Sequence, residues 1–414
     1  MSRSVTDRVR FSPSDTHEWN DFFRSTNVAS FSQSPQWADI WISYTNGAYQ
    51  PEPWIAQLPS GKRVLLPFSR QRYAAGTGNI IHAAPGGTYG SWLAGDGEEL
   101  SRSEETVLIR NTAERSGSLI MRLFPFYSDG SIRSLSGKEY PEKKQVSGSA
   151  AADASFPAEK EMAGLQIRPD RSHVLDCSEG FDVIRQSWMH GRGAMKRKIQ
   201  KAEESGVRIR RASGEKDLDT YYQLYLQTIR NWDPPPSHVY GREMFSILLA
   251  DQLSGNGNVQ SAADTFDPVF SNTGNNAHRD KTGSHSGAEM WLADFEGDVV
   301  SGVIILRGNR HTAYWHGCSG PEGRKLRAMN VLMARLIARS CETGDMWFDF
   351  NPSQNISGVE QFKKSFGAVA ADSPVLEKTS GLTKLLSRPA IGGLASLMKR
   401  AVRRLTFRPR RSGQ

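Results

Sequence analysis

The chain is short of the features that mark several protein classes. Only three cysteines occur in 414 residues (Cys177, Cys318 and Cys341), widely spaced and odd in number. That excludes a disulfide framework and any Cys-based metal spacing, and fits a reducing cytosol. No apolar run approaches the roughly 20 residues that cross a bilayer. The N-terminal MSRSVTDRVRFSPSD lacks the apolar core of a secretory signal. No Walker loop, H-E-x-x-H or G-x-S-x-G elbow is present, and Gly317-Cys318-Ser319-Gly320 has the wrong spacing for the last. Covalent serine catalysis and metal hydrolysis therefore have no sequence support, and no metal is expected; Cys318 stays open as a chemical group.

What is present describes a globular protein, 38% hydrophobic and 23% charged, long enough for two domains. Net charge is +8, but residues 382–414 hold nine basic residues and no acidic one. The rest, with 43 basic against 44 acidic, carries −1. In that tail Ile391, Leu394, Leu397 or Met398, Val402 and Leu405 recur at helical spacing between basic residues. A basic amphipathic helix suits an anionic membrane surface. It suits equally a helix packed on the body, and nucleic acid is a third, less favoured partner.

The pattern along the chain predicts α/β architecture in two units. Residues 1–165 give a first unit with a hairpin around Pro59-Ser60-Gly61-Lys62, a strand from Asn79, a helix over 104–116 and a strand over 118–124. Residues 128–164 read as a loop or linker with little fixed structure. Residues 166–381 give a second unit, interrupted by a polar insert at 254–287, with the basic tail beyond it. Within the second unit, strand 167–175, helices 180–190, 192–205 and 217–232, and a meander from Met290 to His316 lead to a basic turn. An amphipathic helix, the strand Met346–Asn351 and a short helix with Phe362-Lys363-Lys364 follow.

The segments MKRKIQKAEESGVRIRR, YYQLYLQTIRNWDPPP and FDFNPSQ…VEQFKKSFGA, with FSQSPQWADIW and GGTYGSWLA earlier, resemble the FemAB-like branch of the GNAT acyltransferase superfamily. The resemblance covers most of residues 20–372. It implies tandem GNAT-like domains with mixed sheets flanked by helices, moving an acyl or aminoacyl group to an amine. Members act in peptidoglycan bridge formation, and relatives accompany exopolysaccharide or cell-envelope synthesis. The expected activity is N-acylation of an amine on a glycan or lipid-linked envelope precursor, in the cytoplasm or at the inner membrane face. Acyl-CoA is the expected co-substrate and aminoacyl-tRNA the alternative; a non-catalytic membrane-bound scaffold is the rival of another class. The carrier turn, Pro321 to Ala328, departs from the glycine-rich GNAT loop, with one glycine and three basic residues.

The resemblance makes Lys363 the first candidate for catalysis, a cation beside the transfer site, with Lys364 the alternative on that helix. Asp349 is placed either to orient or deprotonate the amine or to pair with an arginine or cap a turn. Strand alternation puts it on one face with Trp347, opposite Phe348 and Phe350. His316 could accept a proton or be an ordinary hydrogen-bonded histidine. Arg324, Lys325 and Arg327 are expected at carrier phosphates, with Asn330 beside them or capping the helix. Trp315, Phe362, Arg192 and Lys196 are candidate substrate contacts. Phe362 reads first as packing, and the cations of helix 192–205 as its solvated face.

Overall fold

The computed structural model describes residues 8–72, 79–95, 98–127, 130–133, 164–189, 193–230, 239–254, 269–270, 286–353 and 356–379. The chain starts with β1 (Arg10–Pro13), α1 (Thr16–Ser25), α2 (Pro35–Tyr44), β2 (Tyr49–Pro51), β3 (Trp54–Gln57) and β4 (Arg63–Leu66). Next come β5 (Ser69–Arg72), β6 (Asn79–His82), β7 (Leu93–Ala94), α3 (Arg102–Ser116) and β8 (Leu119–Arg122). The middle holds β9 (Gln166–Arg168), β10 (Arg171–Asp176), α4 (Phe181–Ser187), α5 (Ala194–Glu204), β11 (Arg208–Arg211), α6 (Glu215–Arg230), α7 (Arg242–Leu248) and α8 (Ala250–Leu253). Then follow β12 (Gly287–Phe295), β13 (Asp298–Arg307), β14 (His311–Ser319), α9 (Pro321–Leu326), α10 (Ala328–Glu342), β15 (Trp347–Asp349), α11 (Ser357–Lys364), β16 (Val369–Asp372) and β17 (Val375–Lys378).

Local chemistry sets these limits. Ser101 and Glu104 form a reciprocal capping box that starts α3, and Ser34 followed by Pro35 starts α2. Helix α10 is buried on almost every side, because it lies against the large sheet and under α5. The strands form a four-stranded sheet β1-β3-β4-β7, a six-stranded sheet β2-β5-β6-β8-β17-β9 and a seven-stranded sheet β11-β12-β13-β14-β15-β10-β16. The architecture is thus mixed α/β, with open mixed sheets flanked by helices.

Three expectations from sequence need correction. Strands β9 and β17, assigned to the second unit, complete the six-stranded sheet of the first: Val375 lies opposite Arg122 on one side and Arg168 on the other. The reason is edge protection, since β17 covers the open side of β8 and sends Leu376 into the first unit's core. Within the expected linker, Arg133 is buried, with Nη1 3.0 Å from both Glu105 carboxylate oxygens. Within the expected insert, Val269 is packed in the core of the second unit, its N–H donating to Glu203 at 2.7 Å. In both places a short segment finds buried partners that polar composition does not reveal. The basic tail at 382–414 lies outside the described residues.

The two units are also joined by a backbone clasp. The turn between β13 and β14 exchanges hydrogen bonds with the α1–α2 connection: Ala29 N–H to Asn309 O at 3.1 Å and Asn309 N–H to Ala29 O at 2.9 Å. Arg310 adds a bond to Asn27 Oδ1 at 2.8 Å. Gly308 makes this approach feasible, because a Cβ there would sit 2.0 Å from Ala29 O and 2.7 Å from Phe31 N. Both obstacles are backbone atoms that no rotamer change can clear. Gly308→Ala is therefore expected to cost about 2 kcal/mol or more. The check is the urea midpoint followed by tryptophan fluorescence; an unchanged midpoint would show that the clasp bears no strain.

Candidate active site

The site grows from an unequal pairing of strands. β14 stays paired with β13 from Thr312 to Ser319, with a bulge between Ile304 and Ile305 that skips Trp315. Its other neighbour, the parallel strand β15, accompanies it only through His311–Trp347, Thr312–Phe348 and Ala313–Asp349. β15 ends at Asp349, so beyond Ala313 the Tyr314–Ser319 edge of β14 runs on without a strand partner on that side among the described residues. Two side chains close the ends of this stretch. Asn351 Nδ2 donates to Tyr314 O at 2.7 Å, and Arg324 Nη1 donates to Ser319 O at 2.6 Å.

Lys363 stands at the closed end. Helix α11 is fixed by Phe362 and Phe366, whose rings meet at 5.1 Å, and by Phe366 against Phe350 at 5.6 Å. That turns Lys363 inward, 2% exposed, with Nζ donating to the Asn351 carbonyl. Lys364, the alternative, is exposed and paired with Glu360. Burial lowers the Lys363 ammonium from its ordinary 10.5 to about 8, against the opposing pull of Asp349, Asp170 and Glu360. His173 on β10 is also buried, and loss of water, reinforced by the Lys363 charge, lowers its basicity.

Asp349 is fully enclosed between the units and carries out the turn-capping alternative. It accepts from Ser172 Oγ and from the Asn351 N–H at 2.7 Å, and its second oxygen lies 3.2 Å from His311 Nε2. Its face is the one it shares with Trp347, opposite Phe348 and Phe350 in the α10 core. The rings of Phe124 and Phe126, 5.0 and 5.8 Å from His311, seal it from the first unit. With both oxygens engaged and no exposed surface, it has no route to an incoming amine in this arrangement. The buried Tyr89 phenol lies beside it, pushed well up by burial and then by the Asp349 charge.

His316 belongs to a different environment. It faces α6 and α7, with Nδ1 2.5 Å from Tyr221 Oη and its ring 4.6 Å from Tyr225 and 5.1 Å from Phe245. Burial lowers it from 6.5 to about 4, so it is neutral at physiological pH and a weak base. Trp315, set by the bulge, packs between Trp37 of the first unit and Tyr240 of the second at 6.0 and 5.3 Å. His316 makes no hydrogen bond to Lys363 or Asp349.

The carrier turn presents its cations outward. Arg324, Lys325 and Arg327 are all exposed, and Lys325 is paired with Glu322 at 3.2 Å. Arg327, in left-handed conformation (φ 62°), precedes α10, whose first turn has no side-chain cap. Three exposed cations grouped ahead of α10 suit a phosphate-bearing carrier. Asn330 is neither cap nor surface: it is buried in the first turn of α10, its Nδ2 3.6 Å from Met195 Sδ, because the helix begins two residues earlier. On the α6 side of the turn, an open recess is lined by Thr220, Gln223, Leu224, Gln227, Arg230 and Val299. Lys196 lies over the Phe270 ring at 5.7 Å, and Arg192 is outside the described residues.

Sequence reading brought Lys363, Asp349 and the basic turn together but missed Asn351, Ser172, His311 and Tyr89. Asn351 had a signal, since Asn-Pro after a strand marks a turn. The other three come from separate segments and have none. No cluster of His, Cys, Asp and Glu that could hold a metal occurs among the described residues.

Residues 189–364 match the family described as Acetyltransferase (GNAT) domain. FemX shares the fold over 89% of this chain and 96% of its own, with a TM-score of 0.54 and 10% identity. L-PGS from Bacillus licheniformis covers 91% of this chain and 97% of its own at 10% identity, with a TM-score of 0.46. A tandem GNAT protein from the clavulanic acid biosynthesis pathway covers 89% and 98% at 11% identity, with a TM-score of 0.42. No curated protein matches the chain in sequence. Residues 189–364 thus carry a GNAT-type acetyltransferase domain, and the two-unit fold of the chain is like that of FemX.

Proposed function

We propose that this acyltransferase moves an acyl group from acyl-CoA to a primary amine on a cell-envelope glycan or lipid-linked precursor. The observation that carries the reading is the Tyr314–Ser319 edge of β14, left without a strand partner where β15 ends, with a desolvated ammonium at its inner end. A thioester lying along the Tyr314–Ser319 edge would bring its carbonyl toward Lys363. Attack by the neutral amine forms a tetrahedral carbon whose oxygen gains negative charge; its collapse breaks the C–S bond, and the departing coenzyme A thiolate takes up the proton that the amide nitrogen loses. An ammonium held in low dielectric stabilises that oxygen far more than one in water would. At pH 7 a group titrating at about 8 is mostly protonated, so the charge is in place. Carrier phosphates would meet Arg324, Lys325 and Arg327.

The scaffold alternative is disfavoured by the same lysine. Burying an ammonium is costly, and a chain that only docks partners has no use for one. No helix among the described residues is long and apolar enough to cross a membrane. Membrane contact, at the inner face of a cytoplasmic membrane, would fall to the basic tail 382–414. The aminoacyl-tRNA reading keeps the same chemistry with an ester donor, and the exposed cations would serve it as well.

Lys363→Met separates chemistry from folding. Transfer activity is expected to fall at least a hundredfold, while stability at pH 7 rises by roughly 3 kcal/mol, the equivalent of a shift from 10.5 to about 8. The sign follows from proton binding. Between pH 8 and 10.5 the unfolded chain holds a proton that the native lysine has lost, so the wild type gains stability as pH rises. The excess stability of Lys363→Met is thus full below pH 8 and fades toward 10.5, as urea unfolding across pH would show. Retained activity in the variant would remove Lys363 from the mechanism.

The donor is decided by binding and by product. Acetyl-CoA is expected to bind the purified full chain, and envelope glycans from cells lacking it to lose one acyl mass by mass spectrometry. Binding of aminoacyl-tRNA that weakens steeply with salt, with none of coenzyme A, would instead select the ester donor. An unaltered glycan profile would overturn the acceptor assignment.

A further inference from the structure

Asn351 is the residue to which the β14 edge and the lysine are both tied. It lies in left-handed conformation, φ 60°, a region costly for residues with a Cβ though least so for asparagine. In that pose its three polar groups point three ways. The N–H donates to Asp349 Oδ1 at 2.7 Å, the side-chain amide donates to Tyr314 O at 2.7 Å, and the carbonyl accepts from Lys363 Nζ. A simple turn residue needs only the first. The second bond ties the turn after β15 to β14 at Tyr314, the first residue beyond their pairing. The third holds the ammonium at that same place.

We propose that Asn351 is a positioning residue that fixes the turn after β15 against β14 and holds Lys363 dry at the inner end of the Tyr314–Ser319 edge. The inference rests on the proposed transfer role of Lys363, although its structural half stands without it. The tie between Asn351 Nδ2 and Tyr314 O keeps the turn 351–353 against β14, and so keeps water from the amine behind it. The groups facing that amine are Asp349 from β15, His173 and Asp170 from β10 and its approach, and Glu360 from α11 itself. All of them stay in place when only the Asn351 side chain is altered, so a change in Lys363 behaviour reports on the tie.

The backbone supplies a clean control. Asn351→Gly keeps the left-handed conformation, the N–H and the carbonyl, and removes only the bond to Tyr314 O. Asn351→Asp keeps size and conformation but sets an acceptor against an acceptor. With purified full-length protein and acetyl-CoA, or the aminoacyl-tRNA if that binds, both variants are expected to lower kcat/KM about tenfold, the worth of one lost hydrogen bond in a dry site. In the same variants the activity limb near pH 8 should move upward, toward ordinary lysine titration.

A second readout needs no transfer assay. The pH-dependent stability difference between a chain with Lys363 and one with Lys363→Met is measured in the Asn351 and the Asn351→Gly backgrounds. It is expected to shrink in the glycine background, because a wetted lysine no longer titrates low. An undiminished difference would overturn the proposal whatever the activity shows. Lost activity with unmoved pH limb and undiminished difference would make Asn351 merely structural. If no donor is turned over by the wild type, the proposed function fails, while the stability measurement still decides the role of Asn351.

Discussion

An ammonium kept out of water must be given substitutes for its lost hydration, and the second unit is arranged around that need. Lys363 receives one carbonyl, from Asn351, and the attraction of three carboxylates at greater remove. These do not fully replace water, so the proton is held less tightly than usual. The arrangement holds only while α11 stays pinned by Phe362 and Phe366 and while the Asn351 carbonyl faces inward. The first condition is hydrophobic packing onto the α10 core; the second is a backbone conformation set by Asp349. Asp349 is therefore better understood as the anchor of a turn than as a base. Its two oxygens gather Ser172, His311 and Asn351, which come from three different strand ends.

The first unit matters because it closes the face on which that anchor lies. Tyr89, Phe124 and Phe126 exclude water from His311 and Asp349, and the Trp347 ring stacks on Phe126 at 4.7 Å. Without this wall Asp349 would be solvated and its hold on the turn weakened. The clasp at Ala29 and Asn309, and the return of β17 into the sheet of the first unit, keep the wall in register. The two units are thus joined by backbone hydrogen bonds and a shared sheet, with the buried Lys363 near their seam. The chain order of the second unit alone could not produce the site.

Much of this was legible in the sequence, and what was not has identifiable causes. Elements with strong local signals are found close to where periodicity puts them: the hairpin around Gly61, α3 behind its Ser101–Glu104 box, and the β12–β13–β14 meander. Alternation in β15 assigned Asp349 and Phe348 to opposite faces, as the two cores show. Failures fall where partners are distant along the chain. Residues 375–378 read as the end of the second unit, yet Leu376 enters the core of the first. Val269 and Arg133 sit in polar tracts, and only a partner far along the chain, Glu203 or Glu105, gives them a place. Asn330 reads as a cap because the helix start was set at the last polar residue before the apolar run. Arg327 takes that position by adopting a left-handed conformation that no pattern of hydrophobicity encodes.

The choice of lysine at this position also follows from the geometry. An arginine would keep its charge in any surroundings, but its planar fork needs several acceptors, and the site offers one carbonyl. A histidine so enclosed would be neutral, as His316 and His82, each lowered to about 4, demonstrate elsewhere in the molecule. Lysine needs a single acceptor and, lowered by burial to about 8, still carries a proton at neutral pH. Charge that survives desolvation is what this fold obtains by placing a primary amine, and no other cation, where β15 ends beside β14.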